Sequence, residues 1–152
     1  METYKIAVEE GFETLAMCIS LGQQQFEEVI GDKGEAKWNL DLTMLKMLCD
    51  AGLTHLVVAR DENDKIIGYF CNVINLDLFT KVYKAREVAI FVHPDHRKNG
   101  IFKKMLDEME ALLVYNGVKA QQLVFQKGHN ETMPLKYGYE PLEVAYEKFL
   151  GD

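Results

Sequence analysis

The sequence has 152 residues, 48% of them hydrophobic, and a formal net charge of -7 at pH 7. This length suits one domain, taken here as residues 1–152, with enough apolar side chains for a sizeable core. A general nucleic-acid binder would be basic, so the acidic balance argues against nucleic acid as a partner. It is compatible with a cationic partner.

The cysteines indicate a compartment. Cys18, Cys49 and Cys71 are widely spaced and odd in number, and no CxxC or Cys/His ligand spacing accompanies them, so we expect no metal site. Reduced thiols are typical of a reducing compartment, and we predict a cytoplasmic protein. The stretch METYKIAVEEGFETL does not have the pattern of a signal peptide. No apolar run approaches the length of a membrane span, which is about 20 residues.

Apolar periodicity predicts the elements of the first part of the chain. They are a strand over Tyr4–Val8 and helices that run from Glu9, over Gln23–Ile30 and over Asp41–Ala51. A charged loop, Gly31–Lys37, precedes Trp38. The sequence leaves two interpretations of Trp38 open, packing in the core or forming a wall of an acceptor pocket.

A hairpin follows. Thr54–Arg60 and Lys65–Asn75 have the composition of strands, and a polar four-residue connection joins them. Gly68, inside the second strand, predicts the close approach of another backbone or a bulge. Leu76–Arg86 is less regular and locally basic.

The stretch Val88–Met105 carries the clearest functional signal. Val88–Val92 is an unbroken apolar run, which predicts a strand covered on both faces, and Pro94 ends it. Apolar residues then recur at helical spacing from Ile101 to the C-cap pair Asn116-Gly117.

Between this strand and helix lies a basic loop, Arg97–Gly100. Four positive charges fall between positions 97 and 104, where the first turn of the helix has unpaired N–H groups and a positive dipole end. We therefore predict that this strand-loop-helix holds a polyphosphate ligand.

The remaining residues predict more strands. These are Lys119–Gln126, a brief Gly138–Pro141 and a final Leu142–Leu150, with a short helix before Gly138 that Pro134 limits. A hairpin followed by strand-helix-strand elements predicts a mixed α/β sheet.

Four pieces of the chain, in this order, resemble the GNAT superfamily of acyl-CoA N-acyltransferases. They are VVARDENDKIIGYF, AIFVHPDHRKNGIFKKML, LVFQKGHN and YGYEPLEVAYEKFL. The second is similar to the family's cofactor motif, Q/R-x-x-G-x-G/A, and the third to the strand that parts from its neighbour to admit the pantetheine arm. The resemblance implies an α/β fold, with a mixed, mostly antiparallel sheet of six or seven strands and about four flanking helices.

The resemblance also implies acetyl-CoA as cosubstrate and no metal. Arg97 and Gly100 take the first and fourth places of the motif. Phe102 departs from the family's usual Gly or Ala, so its ring must point into the core. The implied cofactor-binding residues are Phe91, Val92, Arg97, Lys98, Asn99, Gly100, Ile101, Phe102 and Asn130.

Acetyl transfer needs the neutral form of the amine. A lysine-like amine has a pKa of about 10.4, so its deprotonation at neutral pH costs about 4–5 kcal/mol and calls for a base. The candidates are Glu87, His93 and His96. Many family members use a glutamate on this strand. Alternation counted back from Val92 puts Glu87 on the opposite face, and a bulge would change that phase.

A catalytic acid would protonate the departing thiolate. Counting forward from Asn130 by the family's spacing reaches Tyr137, whereas counting back from Gly138 reaches Pro134, which cannot donate a proton. Tyr137 is the favoured acid, and its other interpretation is a core tyrosine. The remaining candidates are expected to be packing residues, namely Tyr69, Tyr139 and Tyr146.

The implied function is an N-acetyltransferase that moves an acetyl group from acetyl-CoA to a primary amine of a small molecule or protein, in one ternary complex. We expect Gly31–Lys37 with Trp38, Leu76–Arg86 and the last strands to form the acceptor site, whose substrate no motif identifies. The alternative is a degenerate domain that binds CoA or a protein partner. A nucleotide enzyme is disfavoured, since GxxxxGK(S/T) is missing. Homodimers are common in the family, and no membrane association is expected.

Overall fold

The computed structural model describes residues 3–23, 26–27 and 38–151. The predicted loop Gly31–Lys37 and most of the predicted helix Gln23–Ile30 lie outside these residues. Within the described ranges, no helix is both long enough and apolar enough to cross a membrane.

One sheet organises the fold. Its five strands lie in sequence order: β1 Lys5–Val8, β2 Thr54–Arg60, β3 Ile66–Leu76, β4 Tyr83–Val92 and β5 Ala120–Gln122. The first four pair antiparallel with their neighbours, and β4 pairs parallel with β5. The mixed, mostly antiparallel architecture is therefore confirmed.

The predicted count of six or seven strands is wrong for the described residues. The strand expected over Lys119–Gln126 shortens to β5, and neither Gly138–Pro141 nor Leu142–Leu150 forms a strand. Residues 142–150 are all exposed, and Tyr146, expected to pack, is 93% exposed. Alternating apolar residues supplied the pattern of a strand, but strands also need a neighbour to pair with.

β4 begins at Tyr83, well before the predicted Val88. The stretch Leu76–Arg86 looked irregular because it contains both a turn and the start of a strand. Asp77–Val82 forms the turn, and Lys84 and Arg86 already pair with β3. The turn is tied by Asp77, whose carboxylate accepts hydrogen bonds from the backbone N–H groups of Phe79 and Thr80. The charged residues Lys84 and Arg86 interrupt the apolar pattern, so the pattern did not reveal where the strand begins.

Three α-helices are described in full: α1 Phe12–Leu21, α2 Leu42–Asp50 and α3 Ile101–Tyr115. The Asp41 carboxylate begins α2 by accepting a hydrogen bond from the N–H of Met44, at 2.9 Å, as an N-cap does. Two short 3-10 helices, Pro94–His96 and Met133–Tyr137, follow β4 and precede Gly138.

The sheet separates two apolar clusters. Leu15 of α1 and Leu45 of α2 pack with Tyr69, Cys71 and Phe91 on one face. On the other face α3 packs its buried side chains against alternate residues of β2, β3 and β4. β3 is buried on both faces for most of its length, so the sheet's centre lies between two helical layers.

Gly68 brings β3 and β4 close together. A methyl group at this position would lie 2.9 Å from the carbonyl oxygen of Phe91, closer than side-chain carbons normally approach. The close backbone approach predicted at Gly68 is confirmed, and it holds β3 against the end of β4 that leads into the basic loop.

Candidate active site

A bulge interrupts β4 beside Glu87. The register pairs Cys71 with Ala89 and Asn72 with Glu87, which leaves Val88 as an extra residue without a partner on β3. The bulge that would change the strand's phase is therefore present. A bulge changes the direction in which side chains point. Here the inward and outward alternation of side chains before the bulge does not continue in the same phase after it.

Glu87, at this bulge, has an altered acidity. Its burial raises the pKa of the carboxyl to about 7, and the charge of Arg86 opposes this shift only in part. Burial is also the main cause of the raised pKa values of Tyr69 and Cys71. The negative charge of Glu87 raises both values further. A carboxyl that titrates near neutrality can accept a proton and release it again.

β4 and β5 part immediately before Glu87. Their parallel pairing covers only Lys84–Arg86 and Ala120–Gln122, after which β4 continues to Val92 without β5. An opening between two neighbouring parallel strands therefore starts at the bulge. It extends roughly 15–20 Å along β4 toward the basic loop, at about 3.3 Å per residue.

The basic loop lies at the far end of this opening. The side chain of Arg97 donates from Nε to the carbonyl oxygen of Val92, at 2.8 Å, which ties the loop back to the strand. Lys98 and Gly100 both have positive φ angles, 69° and 75°. This alternation of left-handed residues curls the backbone before α3 begins at Ile101.

The N-terminus of α3 is suited to an anion. Gly100 occupies the N-cap position, and no side chain of a described residue caps the helix there. A Cβ on Gly100 would meet nothing within 4 Å, so the space beside the first turn is open. The amide of Asn99 donates instead to the Tyr4 hydroxyl and the His96 carbonyl, which braces the loop from its other side. The first-turn N–H groups therefore face open space, as the binding of an anion would require.

Phe102 leaves this site open. Its ring packs against the cluster under α3 and lies 5.7 Å from the ring of Tyr137, centroid to centroid. Because the ring turns into the core, the bulky residue leaves the loop's backbone accessible. Tyr137, at the end of the second 3-10 helix, is partly buried, and its hydroxyl forms no hydrogen bond with another described residue.

The other base candidates form the turn after β4. The Nδ1 atom of His93 accepts from the N–H of Asp95, at 3.2 Å, and Nδ1 of His96 lies 3.3 Å from the Tyr4 hydroxyl. Both rings therefore stand at the loop end of the opening, whereas Glu87 stands at the bulge. Asn130 has a positive φ of 54°, and its carbonyl accepts from Met133 in the turn after β5.

Trp38 lies against the α1 and α2 side of the sheet. It is partly buried in that cluster, and its ring is 5.6 Å from that of Phe26. This position agrees with the core-packing interpretation of Trp38.

A partly buried chain of polar side chains lies on the α3 face of the sheet, near the point where β4 and β5 part. Asn72 donates to Gln121 at 3.2 Å, Gln121 donates to the Tyr139 hydroxyl at 2.9 Å, and Tyr139 donates to Glu110 at 2.7 Å. Sequence reasoning missed this chain and expected Tyr139 only to pack. The available signal was the amide of Asn72 inside the buried, mostly apolar part of β3.

The sheet and loop together combine a split between two parallel strands, a titratable carboxyl where the split begins and an exposed helix N-terminus at its other end. A family model described as an acetyltransferase (GNAT) domain matches residues 52–142. The match covers more than half of the chain, and the chain therefore belongs to the GNAT acetyltransferase family. No curated protein matches the chain.

Solved structures share the fold at low identity. An aminoglycoside acetyltransferase from an uncultured soil metagenomic sample, in complex with trehalose, is 18% identical with a TM-score of 0.76, covering 97% of this chain and 96% of that one. A predicted acetyltransferase with acetyl-CoA from Clostridium acetobutylicum is 20% identical, with a TM-score of 0.72 and coverages of 97% and 96%. The ribosomal-protein-alanine N-acetyltransferase from Brucella melitensis is 16% identical, with a TM-score of 0.74 and coverages of 99% and 99%.

Proposed function

We propose that the chain is a single N-acetyltransferase domain, residues 1–152, that transfers an acetyl group from acetyl-CoA directly to a primary amine in a ternary complex. The observation that carries this proposal is the arrangement along β4. A carboxyl whose pKa is raised to about 7 stands where β4 and β5 part, and the basic loop with its uncapped helix N-terminus stands at the other end of the same strand.

The residues of the loop and strand fit acetyl-CoA. The uncapped first turn of α3, the positive φ at Gly100 and the nearby Lys98, Lys103 and Lys104 suit a pyrophosphate. The edge of β4 from Phe91 back to Glu87 suits an extended arm that carries amide groups. Acetyl-CoA supplies the activated acyl group as a thioester. Asn99 and Ile101 beside the helix start, and Asn130 in the turn after β5, complete the proposed binding residues.

Glu87 is the proposed general base. An ammonium group that enters the site loses one proton to the Glu87 carboxylate, which leaves the nitrogen lone pair free to attack the acyl carbon. A base with a pKa near the working pH is present in its carboxylate form often enough to act and is basic enough to accept the proton. Glu87 then releases that proton to solvent.

Tyr137 is the proposed general acid. Its hydroxyl, which forms no hydrogen bond with a described residue, would supply the proton that the departing sulfur needs. The surplus proton on the new amide nitrogen would replace it, so the protons balance. Tyr139 is the poorer candidate because its hydroxyl already donates to Glu110.

The acceptor is proposed to be an amine of a small molecule or protein. One solved structure of the same fold is described as an aminoglycoside acetyltransferase in complex with sisomicin, 18% identical to this chain. The net charge of -7 would favour a cationic acceptor such as a multiply charged amine. A cytoplasmic location and the absence of nucleic acid and membrane partners remain part of the proposal, as does a homodimer.

The test is release of free CoA from acetyl-CoA in the presence of primary amines. A panel should include an aminoglycoside, a polyamine, a lysine peptide and a peptide with a free N-terminus. We expect amine-dependent release above the hydrolysis seen without amine, and its loss in the Glu87→Gln variant. Binding of acetyl-CoA without turnover on the whole panel would contradict the enzyme proposal and support a CoA-binding domain without catalysis.

A further inference from the structure

Two adjacent residues of β5, Gln121 and Gln122, stand at the closed end of the opening. They pair in parallel with Ala85 and Arg86, the last residues of β4 that have a partner in β5. Their side chains point to opposite faces of the sheet, since side chains alternate along a strand. The closed end is therefore flanked by one glutamine on each face.

On the α3 face, the amide of Gln121 connects β5 to β3. Its Oε1 atom accepts from Nδ2 of Asn72 at 3.2 Å, and its Nε2 atom donates to the Tyr139 hydroxyl at 2.9 Å. The Tyr139 hydroxyl in turn donates to the Glu110 carboxylate of α3 at 2.7 Å. Because a carboxylate only accepts, this order fixes which end of the Gln121 amide faces Asn72.

The connection between Asn72 and Gln121 passes over β4. This strand lies between β3 and β5 in the sheet, and strands two places apart are about 9–10 Å from each other. The residue of β4 next to Gln121 is Ala85, which is fully buried and belongs to the cluster under α3. Its small side chain leaves room for the two amides to meet. The contact therefore fixes the position of β5 relative to β3 as well as to β4.

On the opposite face, Gln122 is held by a second group of side chains. Its Oε1 atom accepts from Nη1 of Arg86 at 3.3 Å, and the same Nη1 atom donates to the Glu143 carboxylate at 3.1 Å. Tyr139 and Glu143 both belong to the segment after the second 3-10 helix, so this segment contributes to both groups. Side chains thus hold the closed end of the opening on both faces of the sheet.

The reacting end of the proposed ligand would lie at this closed end. Glu87, the proposed base, directly follows Arg86, the last residue of β4 that pairs with β5. Direct transfer requires the acyl carbon, the amine and the base to lie together. A ligand that extends along β4 from the basic loop to Glu87 therefore places its acyl group where the two strands join. A longer acyl chain that continued in the same direction would meet the paired strands.

We propose that Gln121 and Gln122 are specificity-determining residues, which keep the closed end of the opening narrow and so restrict the acyl donor to short acyl groups such as acetyl. The inference rests on the proposed function, since it takes the acyl group to lie at the Glu87 end of β4. One methylene group more or less in a fitted pocket changes the preference for a ligand by roughly tenfold or more. The longer chain of hexanoyl-CoA would have to force apart two strands that side chains hold on both faces.

The experiment compares the Kd of acetyl-CoA with that of hexanoyl-CoA by calorimetric titration of the full chain, which does not depend on turnover. We expect the wild type to bind hexanoyl-CoA at least about tenfold more weakly. Gln121→Ala should reduce this ratio to about threefold or less, because it removes the contacts on the α3 face and leaves space at the closed end. Gln126→Ala, the same substitution at an exposed position after β5, is the control and should leave the ratio unchanged.

Two further variants cover the case in which Gln121→Ala folds poorly. Tyr139→Phe keeps the ring and removes the hydroxyl that bonds to Gln121, while Gln122→Ala acts on the opposite face. Both should lower the ratio in the same direction, by a smaller factor. A merely structural role would weaken the binding of both ligands equally, so an unchanged ratio in these variants would overturn the proposal.

The outcomes for the wild type separate this inference from the proposed function. Equal affinity for hexanoyl-CoA and acetyl-CoA would contradict the inference, whether or not the chain turns either of them over. Selective binding of acetyl-CoA without release of CoA to any amine would contradict the enzyme proposal and leave the inference supported. Binding of neither ligand would contradict both.

Discussion

At the scale of single residues, Glu87 makes the free energy of unfolding depend on pH. Its carboxyl is partly buried at the bulge, and burial raises its pKa from 4.5 to about 7. The folded chain therefore binds more protons than the unfolded chain between these two values. Stability that is present below pH 4.5 is lost as the pH rises through 7.

The Glu87→Gln variant tests this linkage. The amide cannot ionise, so the variant lacks this loss and should gain stability relative to the wild type as the pH rises from 5 to 8. The gain approaches about 3 kcal/mol, since one pKa unit corresponds to about 1.4 kcal/mol. Urea unfolding at pH 5 and pH 8 measures it, and the comparison at pH 5 is the internal control. Parallel pH dependences of the two proteins would show that Glu87 titrates normally.

At the scale of elements, β4 connects the two halves of the site. The first residues of β4 pair with β5 and the later ones do not, which creates the opening. Gly68 allows β3 to approach the C-terminal end of β4 closely. The positive φ angles of Lys98 and Gly100 then turn the chain so that α3 points its first-turn N–H groups outward. The helix dipole and these N–H groups favour a bound anion in the same place.

Paired substitutions at Gly100 test the anion site. Asp and Asn both tolerate a left-handed backbone and have nearly the same size, so they differ mainly in charge. We expect Gly100→Asp to weaken acetyl-CoA binding at least tenfold, because its carboxylate repels the pyrophosphate, whereas Gly100→Asn should retain most of the affinity. Calorimetric titration of each variant at fixed salt measures the difference. Equal affinities for the two variants would place the cofactor elsewhere.

At the scale of the whole molecule, binding and stability are linked. Acetyl-CoA would contact both β4, which borders the split in the sheet, and the first turn of α3. A ligand at 100 times its Kd stabilises the folded chain by about 2.7 kcal/mol. For a chain of this size, each kcal/mol raises Tm by roughly 2–4 °C.

Thermal unfolding with and without ligand tests that linkage. We expect saturating acetyl-CoA to raise Tm by roughly 5–10 °C, and CoA to act similarly because it has the same pyrophosphate and the same arm and lacks only the acetyl group. ATP, which lacks the arm that lies along β4, should raise Tm much less. An equal effect of ATP would instead favour a nucleotide-binding function.

Much of the fold could be predicted from local pattern. The hairpin of β2 and β3, the helix from Ile101 and the basic loop before it were all visible as apolar periodicity, turn composition and clustered charge. The prediction of a C-terminal strand over Leu142–Leu150 was wrong. Alternating apolar residues form a strand only where a neighbouring strand is available to pair with them. The start of β4 at Tyr83 was missed because Lys84 and Arg86 interrupt the apolar pattern by which a strand is recognised.

The amino-acid sequence by itself determined the family resemblance, the basic loop before a helix and the set of titratable candidates, since these follow from residue type and short-range spacing. Only the tertiary structure decided the bulge at Val88, the parting of β4 from β5 and the meeting of Asn72 with Gln121 and of Tyr139 with Glu110. These features join residues far apart in the chain. Their geometry depends on the pairing register and on burial, which no local pattern encodes.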